Sequence, residues 1–539
     1  MDYLVSRDGY SYVQAPGVLP GGTTLAAEIE RTSRRYPDRP ALVDDVGALT
    51  YRQLWDAVLA RARVLHGQGA RAGDRVAVML PNGCEYVVTA LASYRLGTVL
   101  VPLATNNGLR EVEGILAHSE AGVVVAGGGP RTRDLAGVVG DALADGRLGA
   151  RLVALGEGPA AGGTRGALPS APEPDAPAAM LYTSGTTGAP KGVVHTHEGL
   201  LRMAQASNAV RRAEGGVWLC LVPLSHALGL EYGLACPLIS GGTLVLTDGF
   251  DARRALQAIA VQRVDHLVAV PTMVIRMLAA MDAACDVSSV RAIYLGGMAA
   301  PPEVMRSIGE RFGCTISMTY GATEFGHASM TRPEDPAEVV AATSGGPMFG
   351  GLELRVMANE RTVPIGEIGQ IWVRGPTTFL EYFRDPVRTA AARRPSGWVS
   401  VEDLGYLSPG GTLTVVGRHK DMIVRGGQNL YPNEIELLLH RHPAVLMACV
   451  VPVPDPELGE RTCACVVLAD RAAALDRAAV VPLFSRVARH KIPDYVLAFD
   501  EFPQTSSGKV RKDRLAPLAT ARLGLAGAAG RDSAARSHG

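Results

Sequence analysis

What this sequence lacks narrows its function before any motif does. It has no excess of charge: 53 Lys and Arg residues balance 53 Asp and Glu residues, so neither a nucleic acid nor an anionic membrane surface has an electrostatic claim on it, and a small-molecule ligand is favoured. It has no metal or redox signature among its eight cysteines. No Cys-x-x-Cys occurs, and no histidine cluster accompanies the thiols. Cys463 and Cys465 alone lie close, at a spacing that turns both side chains to one face of a strand; buried reduced thiols are expected, and a structural metal is not. Nor is there an apolar run fit to span a bilayer, since the stretch from Val217 to Leu246 is broken by His226, Glu231, two prolines and a Gly-Gly pair. Met1-Asp2-Tyr3 opens on no basic segment leading into an apolar one, so a cytoplasmic protein with no membrane span is expected.

The 539 residues exceed what one core fills, which implies two or more domains. Leu54, Val58, Ala62 and Leu65 recur at helical spacing, and Val76 to Leu80 and Val99 to Val101 are short apolar runs bounded by glycine or proline. This alternation predicts α/β layers. The Gly-, Ala- and Pro-rich segment 156–177 reads as a surface loop or linker. After about Arg418 the pattern becomes a compact unit with strands near Val445 to Val451, Thr462 to Leu468 and Tyr495 to Phe499, and a helix near Ala479 to Arg489. The expected organisation is an α/β chain: a large multi-layer N-terminal domain of sheets and helices over 1–417, a smaller mobile α+β domain over 418–520, and a disordered tail over 521–539.

The strongest local signal runs from Leu181 to Gly192, Leu-Tyr-Thr-Ser-Gly-Thr-Thr-Gly-Ala-Pro-Lys-Gly. Glycines let backbone amides approach phosphate oxygens; Thr183, Ser184, Thr186 and Thr187 offer hydroxyls, and Lys191 adds a positive charge. It is not a Walker loop, because the Gly-Lys-Ser/Thr ending is missing. Composition alone fits a plain Gly/Thr turn equally well.

That loop resembles the phosphate-loop signature of the acyl-adenylate-forming superfamily of acyl-CoA synthetases, adenylation domains and luciferases. Further motifs follow in the family's order: Tyr320-Gly-Ala-Thr-Glu324, Gly366-Glu-Ile-Gly369, Gly397-Trp398 with Asp403, Gly417-Arg-His-Lys-Asp421, Gly426-Gly-Gln-Asn-Leu-Tyr-Pro-Asn-Glu-Ile-Glu436 and Ser507-Gly-Lys509. The likeness extends from about Thr24 to Leu515 and is greatest to acyl-CoA synthetases.

The resemblance implies a role for each matched residue. Thr183, Ser184, Gly185, Thr186, Thr187, Gly188 and Lys191 would cradle the phosphates of ATP. Thr323 would contact the α-phosphate, and Glu324 would help hold Mg²⁺. Tyr320, with Gly321 beside it, would stack on adenine; Gly297 and Met298 would line the adenine and acyl pockets; Asp403, assisted by Arg418, would bind the ribose hydroxyls. Lys509 would be the catalytic lysine of the small domain, acting with Glu324 and Thr183, and Lys420 the hinge about which that domain turns. His226 and Ala227 would lie at the acyl pocket, with Met273, Tyr294 and Met298 as further walls.

Departures from the family pattern are informative. Val401-Glu402-Asp403 stands where many relatives have Thr-Gly-Asp, which keeps the carboxylate but loses a hydroxyl and a glycine. Ala227 occupies a position where amino-acid-activating relatives often carry aspartate, which argues for a non-amino acid substrate. Glu231 opposes this, since in the pocket it would recognise an amino or hydroxyl group, although exposure preference places it at a surface or helix end. The implied activity joins a carboxylic acid to coenzyme A through an acyl-AMP. An alternative acceptor is the phosphopantetheine of an acyl or peptidyl carrier protein. A non-catalytic nucleotide-binding protein would be expected to lose Glu324 or Lys509, and both are present.

Overall fold

A computed structural model describes residues 4–6, 8–15, 21–129, 133–155, 167–183, 191–297, 302–348, 351–470, 474–505 and 509–525. Its strands form four sheets. The first has six strands, of which Pro177–Thr183, Val99–Pro102, Arg75–Met79, Val123–Ala126 and Arg151–Ala154 run parallel, and Lys191–Thr196 closes one edge antiparallel. The inner runs are apolar throughout because helices cover both faces. Helix Tyr51–Gly67, packed on helix Cys84–Leu96 and on strands Pro40–Val43 and Ala48–Thr50, starts on a capping box between Thr50 and Gln53 and buries Leu54, Val58, Ala62 and Leu65, the four residues whose spacing predicts it.

The second sheet, of nine strands, holds a parallel run through Val217–Cys220, His266–Ala269, Ala292–Gly296 and Thr315–Ala322, then turns antiparallel into Gly326–Met330. The third is a seven-stranded antiparallel sheet whose edge pair is Asp403–Leu407 and Leu413–Arg418. One apolar core runs continuously beneath elements of all three.

Just past Arg418 the chain makes a 3₁₀ turn, His419–Asp421, and enters a fourth sheet at Ile423–Arg425. That five-stranded sheet contains Val445–Asp455, Gly459–Leu468 and Tyr495–Ala498, each near its predicted place, and packs a separate apolar cluster on each face. The helix predicted over Ala479 to Arg489 does not form. A single turn, Arg477–Val480, passes into 3₁₀ geometry at Val481–Phe484, where Pro482 supplies no amide hydrogen to carry an α-helix on. The last helix, Lys512–Arg522, runs beyond the predicted boundary at 520 because Leu515 and Ala519 are buried against the sheet. Residues 526–539, most of the predicted tail, lie outside the described residues. Cys463 and Cys465 do share one buried face, and Cys449 pairs opposite Cys465; all three are free thiols. No helix among the described residues is long and apolar enough to cross a membrane.

Candidate active site

The phosphate-type loop joins two antiparallel strands, the second of them at the sheet edge, and Thr183 at the end of one pairs with Lys191 at the start of the next. Ser184, Gly185, Thr186, Thr187 and Gly188, as well as Met298, lie outside the described residues. Segment 380–383 runs beside the second strand, where the amide of Phe383 donates to Gly192 O and that of Leu380 to Val194 O. This pairing brings Tyr382 under Lys191, whose ammonium lies 5.2 Å from the ring centroid. The Tyr382 hydroxyl donates to Glu324 Oε1 at 2.7 Å. From the same edge strand, His195 Nε2 donates to the carbonyl of Thr323 at 2.6 Å. Thr323 and Glu324 are thus fixed from the strand that begins at Lys191 and from segment 380–383 by two side chains that no sequence motif singles out.

The nucleotide-type cradle is made where the second and third sheets meet. Tyr320 and Asp403 are buried; the phenol donates to Asp403 Oδ2 at 2.9 Å, and Arg418 Nε donates to Asp403 Oδ1 at 2.8 Å. Asp403 and Arg418 are direct cross-strand partners, so the ion pair follows from strand register. Glu402, just before the aspartate, is held at φ 65°. A glycine accepts that left-handed conformation without strain, and a glutamate does not. Close backbone approach also limits Gly321, where a Cβ would stand 2.2 Å from Gly326 O.

Lys509 reaches this cleft from the small domain. It retains exposed surface, but its side chain turns inward: a Cβ placed on Gly297, itself at φ +85°, would be 3.1 Å from Lys509 Cε and 3.8 Å from Nζ. Burial, reinforced by the Arg418 charge, lowers the pKa of Lys509 below the usual lysine range, while Asp403 and Glu324 act in the opposite direction. His226 is near enough to feel this lysine. Burial first, and Lys509 second, push its pKa down to about 4, so the imidazole is neutral at pH 7. Lys420 sits in the 3₁₀ turn between the sheets, its pKa lowered by burial and then by Arg418.

A seven-residue π-helix, Gly229–Ala235, follows His226 and Ala227, the residues expected at the acyl pocket; π geometry is rare and concentrates at functional sites. Ala227 is half-buried. Glu231 is buried and not at the surface that its residue type predicts, and His327 Nε2 lies 2.9 Å from its Oε2. Met273 packs in the apolar core near the start of helix Pro271–Ala280. Tyr294 is stacked against Trp218, with centroids 5.5 Å apart, and its hydroxyl lies 2.9 Å from His266 Nδ1.

Among the described residues no group of three or more His, Cys, Asp or Glu side chains could hold a metal by itself. A lone buried carboxylate such as Glu324 nevertheless suits Mg²⁺ arriving with a triphosphate, because phosphate oxygens and water complete the octahedron.

A lysine brought from a separate sheet to a ring-and-carboxylate cradle is the arrangement of an adenylate-forming enzyme, and comparison with known proteins narrows that class. Residues 29–383 match the family described as AMP-binding enzyme, and residues 434–509 match the AMP-binding enzyme C-terminal domain. The chain is 33% identical over 517 residues to the medium-chain fatty-acid–CoA ligase of Escherichia coli, covering 92% of this chain and 90% of that protein. It is 32% identical over 519 residues to 2-hydroxy-7-methoxy-5-methyl-1-naphthoate–CoA ligase of Streptomyces carzinostaticus, covering 92% and 93%. The ATP-bound structure of MatB from Rhodopseudomonas palustris superposes with a TM-score of 0.82 at 28% identity, over 92% of this chain and 99% of that one. The chain therefore belongs to the AMP-binding enzyme family and is an ATP-dependent, AMP-forming acid–CoA ligase.

Proposed function

We propose that the cleft lined by Tyr320, Asp403, Glu324, Gly297 and His226 carries out both half-reactions, with Lys509 serving the first. The supporting observation is the inward course of Lys509 against Gly297. In the first half-reaction a carboxylate oxygen attacks the α-phosphorus of ATP, the bond to the bridging oxygen breaks, and pyrophosphate leaves with the electron pair. The Lys509 ammonium offsets the negative charge that gathers between carboxylate and phosphate. Tyr320 and Asp403 orient the nucleoside, and Arg418 holds Asp403 in place. Thr183, Lys191 and the loop between them bind the phosphates, with Thr323 at the α-phosphate. Glu324, steadied by Tyr382, would hold Mg²⁺, which when bound neutralises triphosphate charge. His226, uncharged at neutral pH, lets the acid approach without forming a competing ion pair.

In the second half-reaction the thiol of coenzyme A attacks the acyl carbon and AMP departs. Lys420, in the turn between the sheets, is the hinge that withdraws Lys509 and opens a path for the thiol. Domain limits of 1–417 and 418–520 suit this motion.

The test incubates the purified chain with ATP, Mg²⁺ and a panel of aliphatic, aromatic and amino acids, with and without coenzyme A, and follows acyl-AMP and acyl-CoA by mass spectrometry. Acyl-CoA appearing only with coenzyme A is the expected outcome. An acyl-AMP that coenzyme A leaves unconsumed would contradict it and indicate a carrier-protein acceptor.

A further inference from the structure

The acyl side of the cleft buries charge that the protein does not itself satisfy. Glu231 is 2% exposed and Arg211 6%, yet neither carboxylate oxygen of the one makes an aligned hydrogen bond, and the guanidinium of the other has only the Tyr294 hydroxyl as a polar neighbour. Buried polar groups are almost always paired, so these orphans call for an explanation, and a ligand group that completes them is one. Arg211 has partial compensation, lying 3.9 Å from the ring centroids of both Tyr232 and Tyr294. Glu231 has only His327, whose Nε2 approaches Oε2 at 2.9 Å without hydrogen-bond alignment.

The histidine is constrained from its other side. Thr319 Oγ1 lies 3.1 Å from His327 Nδ1 and 3.0 Å from Ser329 O. The glutamate, with about four acceptor sites, faces a shortage of donors.

Its place points along the acid. Glu231 lies in the π-helix that begins three residues after His226, whose carbonyl accepts from the Leu230 amide; His226 feels the Lys509 charge. A Cβ on Gly296 would meet Thr319 Cγ2 at 2.8 Å and Leu228 Cδ1 at 3.5 Å, and one on Gly326 would stand 3.3 Å from Glu231 Oε1. The course from Lys509 past Gly296 and Thr319 therefore ends at Glu231 and His327.

We infer that the acid activated by this enzyme carries an amine or hydroxyl at the end remote from its carboxylate, and that Glu231 accepts a hydrogen bond from that group. The inference rests on the proposed placing of the acid beside Gly296 and Gly297. A second carboxylate there would face Glu231 in like-charge repulsion, while Arg211 already has two aromatic faces.

Pyrophosphate release is measured with the full-length protein on isosteric sets of straight-chain and benzoic acids that differ only in a distal amino, hydroxyl, methyl or carboxylate group. The amino or hydroxy acid should exceed its methyl isostere in kcat/KM by about 10- to 100-fold, the worth of a hydrogen bond to a charged group. Glu231→Leu should erase that preference, and Glu231→Gln should retain the hydroxy acid better than the amine. The wild-type comparison needs no variant to fold. Equal or greater rates with methyl-terminated acids would overturn the inference and mean that water fills the site; a preference for dicarboxylates would overturn it in favour of Arg211. Release with none of the acids would instead overturn the proposed placing of the acid.

Discussion

The two sides of the cleft are both buried and polar, but they differ in how completely the protein satisfies them. On the side proposed to bind the nucleotide every key group has an internal partner: Asp403 takes Tyr320 and Arg418, Glu324 takes Tyr382, and the Thr323 carbonyl takes His195. On the acyl side Glu231 and Arg211 have buried polar atoms without hydrogen bonds. A ligand common to all turnovers is met by a site built in advance, which lowers the reorganisation that catalysis must supply. The acyl side leaves its polar groups for the substrate to complete, and unsatisfied groups penalise any acid that cannot do so.

The most severe way to break the comparison is to remove the one group that serves both sides. Lys509→Ala should reduce adenylation, read as pyrophosphate exchange, by about 10²- to 10³-fold, while thioester formation from supplied acyl-AMP persists. Equal loss of both steps would remove the two-position role of this lysine. Its lowered pKa gives a related sign: the ammonium is the active form, so adenylation should fail as pH rises through a value below the usual lysine range. The thioester step should show no such limb in a pH profile.

Next in size is the nucleotide cradle. Asp403→Asn keeps the shape but leaves Arg418 without its carboxylate, and the KM for ATP should rise by about 10- to 100-fold with acid selectivity unmoved. A change in acid preference would show that the two sides are coupled through Tyr320. Smaller is Tyr382→Phe, which removes one hydrogen bond from Glu324. We expect a loss of about 2- to 10-fold in adenylation and a higher Mg²⁺ requirement, and an unchanged Mg²⁺ titration would detach Tyr382 from the metal site.

The sequence was most legible where chemistry is written contiguously. The Tyr320–Glu324 run, Asp403 and Lys509 are recognisable as motifs, and the structure brings them together because strand register and the second sheet place them so. Tyr382, His195, Arg211 and His327 were not legible, since each makes its contact with a residue far away in the chain. Exposure statistics misplaced Glu231 because a glutamate enters a core only in a special site. Helical periodicity misread Ala479 to Arg489 by overlooking Pro482.

The smallest effect concerns the turn before Asp403, where the family's usual glycine is replaced by Glu402 at φ 65°. Holding a non-glycine residue there costs about 1–2 kcal/mol, whereas a glycine gives back about 0.5–1 kcal/mol in unfolded-chain entropy. Glu402→Gly should therefore stabilise the large domain by no more than about 1.5 kcal/mol. The side chain is exposed, so no packing is lost, and the hydrogen bond from the His419 amide to the Glu402 carbonyl survives the change. A small rise in melting temperature with little change in the KM for ATP is the expected result. A rise in KM would mean that the strained turn helps to hold Asp403 against Arg418, and that the nucleotide side draws its rigidity from the backbone as well as from its hydrogen bonds.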